Sequence, residues 1–231
     1  AQLAFGGVGA VAMFTWGADG NPLGLVMAIL VAAVVGALVA LPTLRLRDLY
    51  LALSTMAFAI VFERRILREF PEFVTGGVEI ARVPRLAGFE SDTANFMLVA
   101  AAFAGVGMLI GVIRRGHFGR RLQAMKDSPA ACATIGLDLT RTRLEVFALA
   151  SGIAGLGGAL FAGWKGNIGV NQTDFSLLDG TYAGLPMLLL AVVGGITSVA
   201  GILFGALMLA GLPLAADRVP ALKNVLALLP G

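Results

Sequence analysis

Few residues in this sequence have types and spacing suited to covalent or metal chemistry. The one histidine, His117, lies between Gly116 and Phe118, and the one cysteine, Cys132, lies among alanines. A lone histidine at a helix end reads as a loop residue sooner than as a ligand or proton relay, and no His/Cys/Asp/Glu cluster has metal-ligand spacing. A single cysteine excludes an intrachain disulfide, and Cys132 reads as a small side chain. No G-x-x-x-x-G-K-[ST] phosphate loop occurs, so the sequence offers no cradle for nucleotide phosphates. No catalytic residue, metal or cofactor is expected.

What remains is the chemistry of contact, concentrated in residues 114–143. Seven cations (Arg114, Arg115, Arg120, Arg121, Lys126, Arg141 and Arg143) stand there against Asp127 and Asp138. Asp127 or Ser128, followed by Pro129, is an N-terminal helix signal. Ala130, Ala131, Cys132, Ala133 and Thr134 then make a short helix of little bulk, suited to a groove on a partner, and Gly136 reads as its C-cap. Lys126 and Asp127 border that surface as candidate contacts, although charges in such loops are commonly only solvated. The competing reading is an amphipathic interfacial helix held by its cations on anionic lipid.

The elements that must carry this segment are apolar. Of the 231 residues, 58% are hydrophobic and 13% charged, about half the charge of an ordinary soluble domain. Residues 1–18, 22–44, 93–113, 146–164 and 180–216 are free of Lys, Arg, Asp and Glu, and about 20 apolar residues cross a ~30 Å hydrocarbon core. The alternation of a membrane β-barrel is missing. The expected fold is therefore all-α, a polytopic helical bundle forming a single transmembrane domain over 1–231.

Within it, 22–41, 93–113 and 146–164 read as clean spans, and 49–62 as a short one with Arg47 and Arg64 snorkelling from its ends. Residues 1–17, with Gly6, Gly7 and Gly9 clustered, read as a broken helix. Residues 180–216 are too long for one span and are interrupted by Pro186, Gly194, Gly195 and Pro213, so they should fold back as two short helices. Small residues along the 146–164 span (Gly152, Gly155, Gly158 and Gly163, with Ala154, Ala159 and Ala162) predict close helix packing rather than pore chemistry. Gly107 with Gly111, and Gly201 with Gly205, read the same way. The opening residues AQLAFGGVGA lack an initiator Met, a basic region and a cleavage site, and one or more helices are expected before Ala1.

Charge sets the orientation. Loop 63–92 holds five cations against six acids, so the seven cations of 114–143 favour that loop as cytoplasmic and 63–92 as external. Arg45 and Arg47 fall on the cytoplasmic side too. A net charge of +3 carried in such loops gives no reason to expect nucleic acid as a partner. Asn167, Asn171, Gln172 and Asp174 fall in an external segment and are candidates to meet a solute or a binding protein.

The stretch GRRLQAMKDSPAACATIGLDLTRTRLEVFALASGIAGLGGALFAG resembles the cytoplasmic loop and following helix of permeases of the high-affinity branched-chain amino-acid ABC transport family. LPTLRLRDLYLALSTMAFA, the TGG at Thr75 to Gly77, AVVGGITSVAGILFGA and the opening AQLAFGG resemble further segments of the same family. The likeness covers essentially the whole chain, and its Leu-Arg-Leu-Arg motif favours the M-type subunit. Asp48 stands where the family commonly has glycine, and Gly7 where it often has histidine; these differences bear on the solute more than on the fold.

The resemblance implies a multi-pass permease of the bacterial plasma membrane, not itself an enzyme. It would work with cytoplasmic ATP-binding subunits, a second permease subunit and an extracytoplasmic solute-binding protein, with membrane lipid around it. It also implies that Lys126, Asp127, Ser128, Ala130, Ala131 and Gly136 couple to the ATPase, through a loop that moves the pore helices in alternating access. Relatives for urea, short amides or other small solutes share this architecture. An ion-coupled secondary transporter is a further class, which the lack of ionisable residues in the clean spans disfavours. A structural membrane scaffold is a third, and it predicts no energised uptake.

Overall fold

The computed structural model describes residues 2–17, 21–43, 53, 57–58, 60–61, 80–82, 91–165, 167–169, 192, 194–195, 200–201 and 203–208. They fall in two units, Ala1–Asp179 and Gly180–Gly231. In the first, the chain runs α1 (Gln2–Trp16), α2 (Leu23–Thr43), β1 (Ile80–Arg82), α3 (Asp92–Arg115), α4 (His117–Asp127), α5 (Pro129–Thr134), α6 (Leu139–Lys165) and β2 (Asn167–Gly169).

Each long helix begins where the local chemistry permits. The Asn21 side chain accepts the Leu23 N–H at 3.1 Å, and Pro22, which has no N–H to orphan, opens the first turn of α2. Ser91 caps α3 by accepting the Ala94 N–H at 3.2 Å. Asp92 in its first turn and Arg114 and Arg115 in its last suit the helix dipole. Asp138 caps α6, its carboxylate accepting the Arg141 N–H at 3.0 Å. That cap starts α6 seven residues before the expected start at 146: a helix is bounded by its cap, whereas hydropathy marks only the part that lies in lipid. At 1.5 Å per residue the 27 residues of α6 reach about 40 Å, longer than the hydrocarbon core.

The core is made by α1, α2 and α6, each packed on the other two. The small-residue face expected on the third of these is what closes it. Ser151, Gly152, Gly155, Gly158, Ala159, Ala162 and Gly163 are all buried. A Cβ on Gly155 would strike the Ala32 Cβ and come within 2.7 Å of the Ala28 carbonyl oxygen, and one on Gly9 would strike the Gly155 carbonyl. Where lipid gives no hydrophobic drive for association, such backbone approach supplies the van der Waals contact that holds helices together. Gly155 meets Ala28 and Ala32, Gly152 meets Ile29 and Ala33, and Ser151 meets Gly36, so α2 runs antiparallel to α6.

This packing corrects the expectation of a broken first helix. α1 is continuous over its 15 residues because its glycines are the side on which neighbouring backbones lie. Phe5, fully buried, stacks on Phe58 at 5.4 Å and meets Phe147 edge-on at 6.3 Å. α3 leaves Phe96, Met97, Met108 and Val112 exposed, and a Cβ on Gly111 would meet no atom within 4 Å among the described residues.

Among the described residues β1 and β2 form a small sheet, paired antiparallel with Ile80 opposite Gly169, Ala81 opposite Ile168 and Arg82 opposite Asn167. The 49–62 segment lies mostly outside the described residues; Leu53, Ala57, Phe58, Ile60 and Val61 within it are helical. In the second unit, residues 203–208 are helical. Gly195 takes φ +92°, a left-handed value that glycine adopts without a Cβ penalty. A Cβ on Gly194 would strike the Gly201 carbonyl. That close return fits the expected fold-back and uses Gly201 as a contact surface.

Candidate functional site

The segment expected as a 30-residue loop is mostly helix. Residues 114–143 comprise the end of α3, all of α4 and α5, and the first turn of α6, so the candidate surface is held by short corners rather than by a free loop.

α5 is defined at both ends. The sequence allowed either Asp127 or Ser128 as its cap. The structure selects Ser128, whose hydroxyl oxygen accepts the Ala131 N–H at 3.3 Å, with Pro129 in the first turn. At the other end, Leu137 N–H donates to the Cys132 carbonyl at 3.0 Å and Gly136 N–H to the Ala133 carbonyl at 3.1 Å, with Gly136 at φ +83°. These two bonds and the left-handed glycine are a Schellman cap. Two residues beyond Gly136, Asp138 caps α6, and the Thr142 hydroxyl donates to the Asp138 carbonyl at 3.0 Å. A rigid turn thus joins α5 to α6, and α6 packs on α1 and α2.

All six candidate residues (Lys126, Asp127, Ser128, Ala130, Ala131 and Gly136) are exposed, as are Ala133, Thr134 and Ile135. Lys126 and Asp127 end α4, and the rest belong to α5 and its caps. The outcome is a low, nearly uncharged ridge of methyl groups with Ile135 at its end. Cys132 alone turns inward, 3% exposed. His117 is exposed at the start of α4, its Nδ1 3.0 Å from an Arg120 guanidinium nitrogen. Among the described residues no three His, Cys, Asp or Glu side chains are placed to hold a metal ion. Asn167 lies in β2, whereas Asn171, Gln172 and Asp174 lie outside the described residues.

Two features escaped the reading of the sequence. The Asp138 cap was signalled by an acidic residue just after a glycine stop, the usual start of the next helix. The other is which helix carries the amphipathic pattern weighed for this segment: it is α4, with Phe118, Leu122 and Met125 at the helical spacing i, i+4, i+7.

Among the described residues three helices (Leu23–Pro42, Asp92–Arg115 and Leu139–Lys165) are long and apolar enough to cross a membrane, and with the glycine-packed core they define a helical integral membrane protein. Comparison with known families makes that class specific. Residues 1–229 match the family described as "Branched-chain amino acid transport system / permease component", and the chain belongs to it. Its relatives include LivM, a high-affinity branched-chain amino acid transport system permease protein, of Salmonella typhimurium and of Escherichia coli. Each is 27% identical over 239 residues, covering 90% of this chain and 55% of the relative. The probable LivM of Methanocaldococcus jannaschii is 25% identical over 182 residues, covering 77% of this chain and 52% of the relative. The chain spans about half the length of these curated relatives. No solved structure matches it.

Proposed function

We propose that this chain is the membrane-spanning part of a permease subunit of an ATP-binding-cassette importer for branched-chain amino acids, multi-pass in a bacterial inner membrane. Both units then belong to one permease domain. It pairs with a second permease subunit, receives solute from an extracytoplasmic binding protein and takes its energy from cytoplasmic ATP-binding subunits. The family supports the class of transporter, and the solute is that of the LivM relatives.

The observation that carries the coupling part is α5, a helix of six residues, capped at both ends, small-sided, exposed, and joined by a short turn to a core helix. Ser128, Ala130, Ala131 and Gly136 form the docking surface, with Lys126 and Asp127 at its border. Closure of the ATP-binding subunits would displace α5, and the turn through Gly136 and Asp138 would pass that displacement to α6 and its glycine contacts with α1 and α2.

Reconstitution in proteoliposomes with the cognate ATP-binding and solute-binding proteins tests the reading. The expected result is ATP-dependent accumulation of leucine, isoleucine or valine, with urea and short amides as comparison solutes. Uptake driven by an ion gradient without ATP, or no energised uptake of any of these, refutes it.

A further inference from the structure

The α3–α4 corner differs in chemistry from the α5 ridge beside it. α3 stops at Gly116, whose backbone is extended (φ −79°, ψ −179°), so the chain cannot continue along the α3 axis. Three residues later a Cβ on Gly119 would strike the Arg114 backbone. The missing side chain lets α4 press against the end of α3, at the level where an apolar span gives way to Arg114 and Arg115. α4 therefore starts at the membrane surface and, with 11 residues, runs about 16 Å.

Around α4, Phe118, Leu122 and Met125 share one edge and are half-buried, whereas Arg120, Arg121, Gln123 and Lys126 are exposed. At 100° per residue, Arg121 and Lys126 fall on either flank of the apolar edge, and Arg120, Gln123 and Asp127 fall on the far side. An apolar edge flanked by cations is the arrangement of a helix lying in the headgroup region, with rings and methyls among acyl chains and cations at phosphate level. The elements α4 chiefly packs on are its chain neighbours α3 and α5.

We propose that α4 is an interfacial helix that binds anionic phospholipid headgroups through Arg121 and Lys126. The corner then divides its work, with α4 on lipid and the α5 ridge on a protein. This rests on the chain being membrane-integral and does not depend on the solute or on ATP coupling.

The test uses the chain in its native membrane complex, with Cys132→Ala and a bimane fluorophore on Leu122→Cys, reconstituted in mixed phosphatidylcholine and phosphatidylglycerol bilayers. Bromine placed on the acyl chains of one lipid or the other, at equal mole fraction, reports which lipid is adjacent. Quenching is expected to be stronger from brominated phosphatidylglycerol. The enrichment attributable to each cation is about fivefold, the equivalent of ~1 kcal/mol per basic residue at an anionic surface. Arg121→Gln with Lys126→Gln should bring the two lipids to parity, and raising the salt should narrow the difference with all native cations in place. Equal quenching by both lipids at low salt overturns the proposal. So does no quenching by either lipid, with quenching appearing only when the ATP-binding subunit is removed, which would assign α4 to the protein interface.

Discussion

A helix of six residues is far below the length at which helices sustain themselves in water, so α5 depends on the residues at its ends. Ser128 satisfies an otherwise orphaned N–H, and replacing such a cap by alanine costs about 1 kcal/mol. Ser128→Ala is expected to speed amide exchange at Ala131 to Thr134 about fivefold without altering α6, whose cap is Asp138. Hydrogen exchange with mass spectrometry of the purified protein reads both regions. If the α5 ridge docks by shape, bulk should matter more than charge. Ala131→Trp then costs roughly 1 to 3 kcal/mol by overpacking, whereas loss of an exposed charge in Lys126→Ala costs only ~0 to 1 kcal/mol. Co-purification of the ATP-binding subunit and solute-stimulated ATP hydrolysis, at matched expression, compare the two. Loss of both activities in Lys126→Ala with both retained in Ala131→Trp would replace the steric account with an electrostatic one.

For whole helices, the question is which small residues are contacts and which merely face outward. Gly155 touches the Ala28 and Ala32 positions of α2, and Gly9 of α1 touches Gly155 itself, whereas Gly111 on α3 meets no neighbour among the described residues. Gly155→Leu must therefore push two helices apart. The expected outcome is a loss of several kcal/mol, seen as a much lower yield of folded protein and a lower midpoint of thermal unfolding in detergent. Gly111→Leu should change that midpoint little. A Gly111 effect as large as that at Gly155 would show that α3 packs tightly on something the three-helix core does not supply.

At the scale of the molecule, sidedness follows from pairs of ends. Gly17 and Gly24 lie close enough that a Cβ on Gly24 would come within 2.7 Å of the Gly17 Cα, so the end of α1 and the start of α2 lie together. Because α2 is antiparallel to α6, that end lies with the C-terminus of α6. Trp16 and Trp164, each 49% exposed, then mark one membrane level, where amphipathic aromatic rings concentrate. The β1–β2 ribbon lies past the same end of α6, and α5 lies before the other. Residues 80–82 and 167–169 are therefore expected outside, and α5 in the cytoplasm. Paired residues in an antiparallel ribbon have Cα atoms about 4.5 to 5.5 Å apart, within disulfide range. Ala81→Cys with Ile168→Cys, in a Cys132→Ala background, should cross-link under an impermeant oxidant in intact cells. Ala130→Cys in that background should react with an impermeant thiol reagent only after permeabilisation; Cys132 itself is too buried to serve as the probe. Labelling of Ala130→Cys from outside would invert the topology.

Much of this was legible in one dimension because the bilayer acts on composition and length. The spans at 22–41, 93–113 and 146–164, the glycine face of α6 and the Pro129 to Gly136 helix all follow from local rules of hydropathy, spacing and capping. Position in three dimensions did not. Gly6, Gly7 and Gly9 break a helix or permit a close neighbour with equal ease, and only the backbones of α2 and α6 decided for a continuous α1. Gly107 and Gly111 have the spacing of a contact, yet nothing in the described structure comes to meet Gly111. Asp127 and Ser128 were equal candidates for one cap until backbone geometry chose the serine. Composition and local order thus determined that this is a helical membrane protein with a capped ridge between two spans. Which small residues are contacts is a property of pairs of surfaces, and that only the tertiary structure decided.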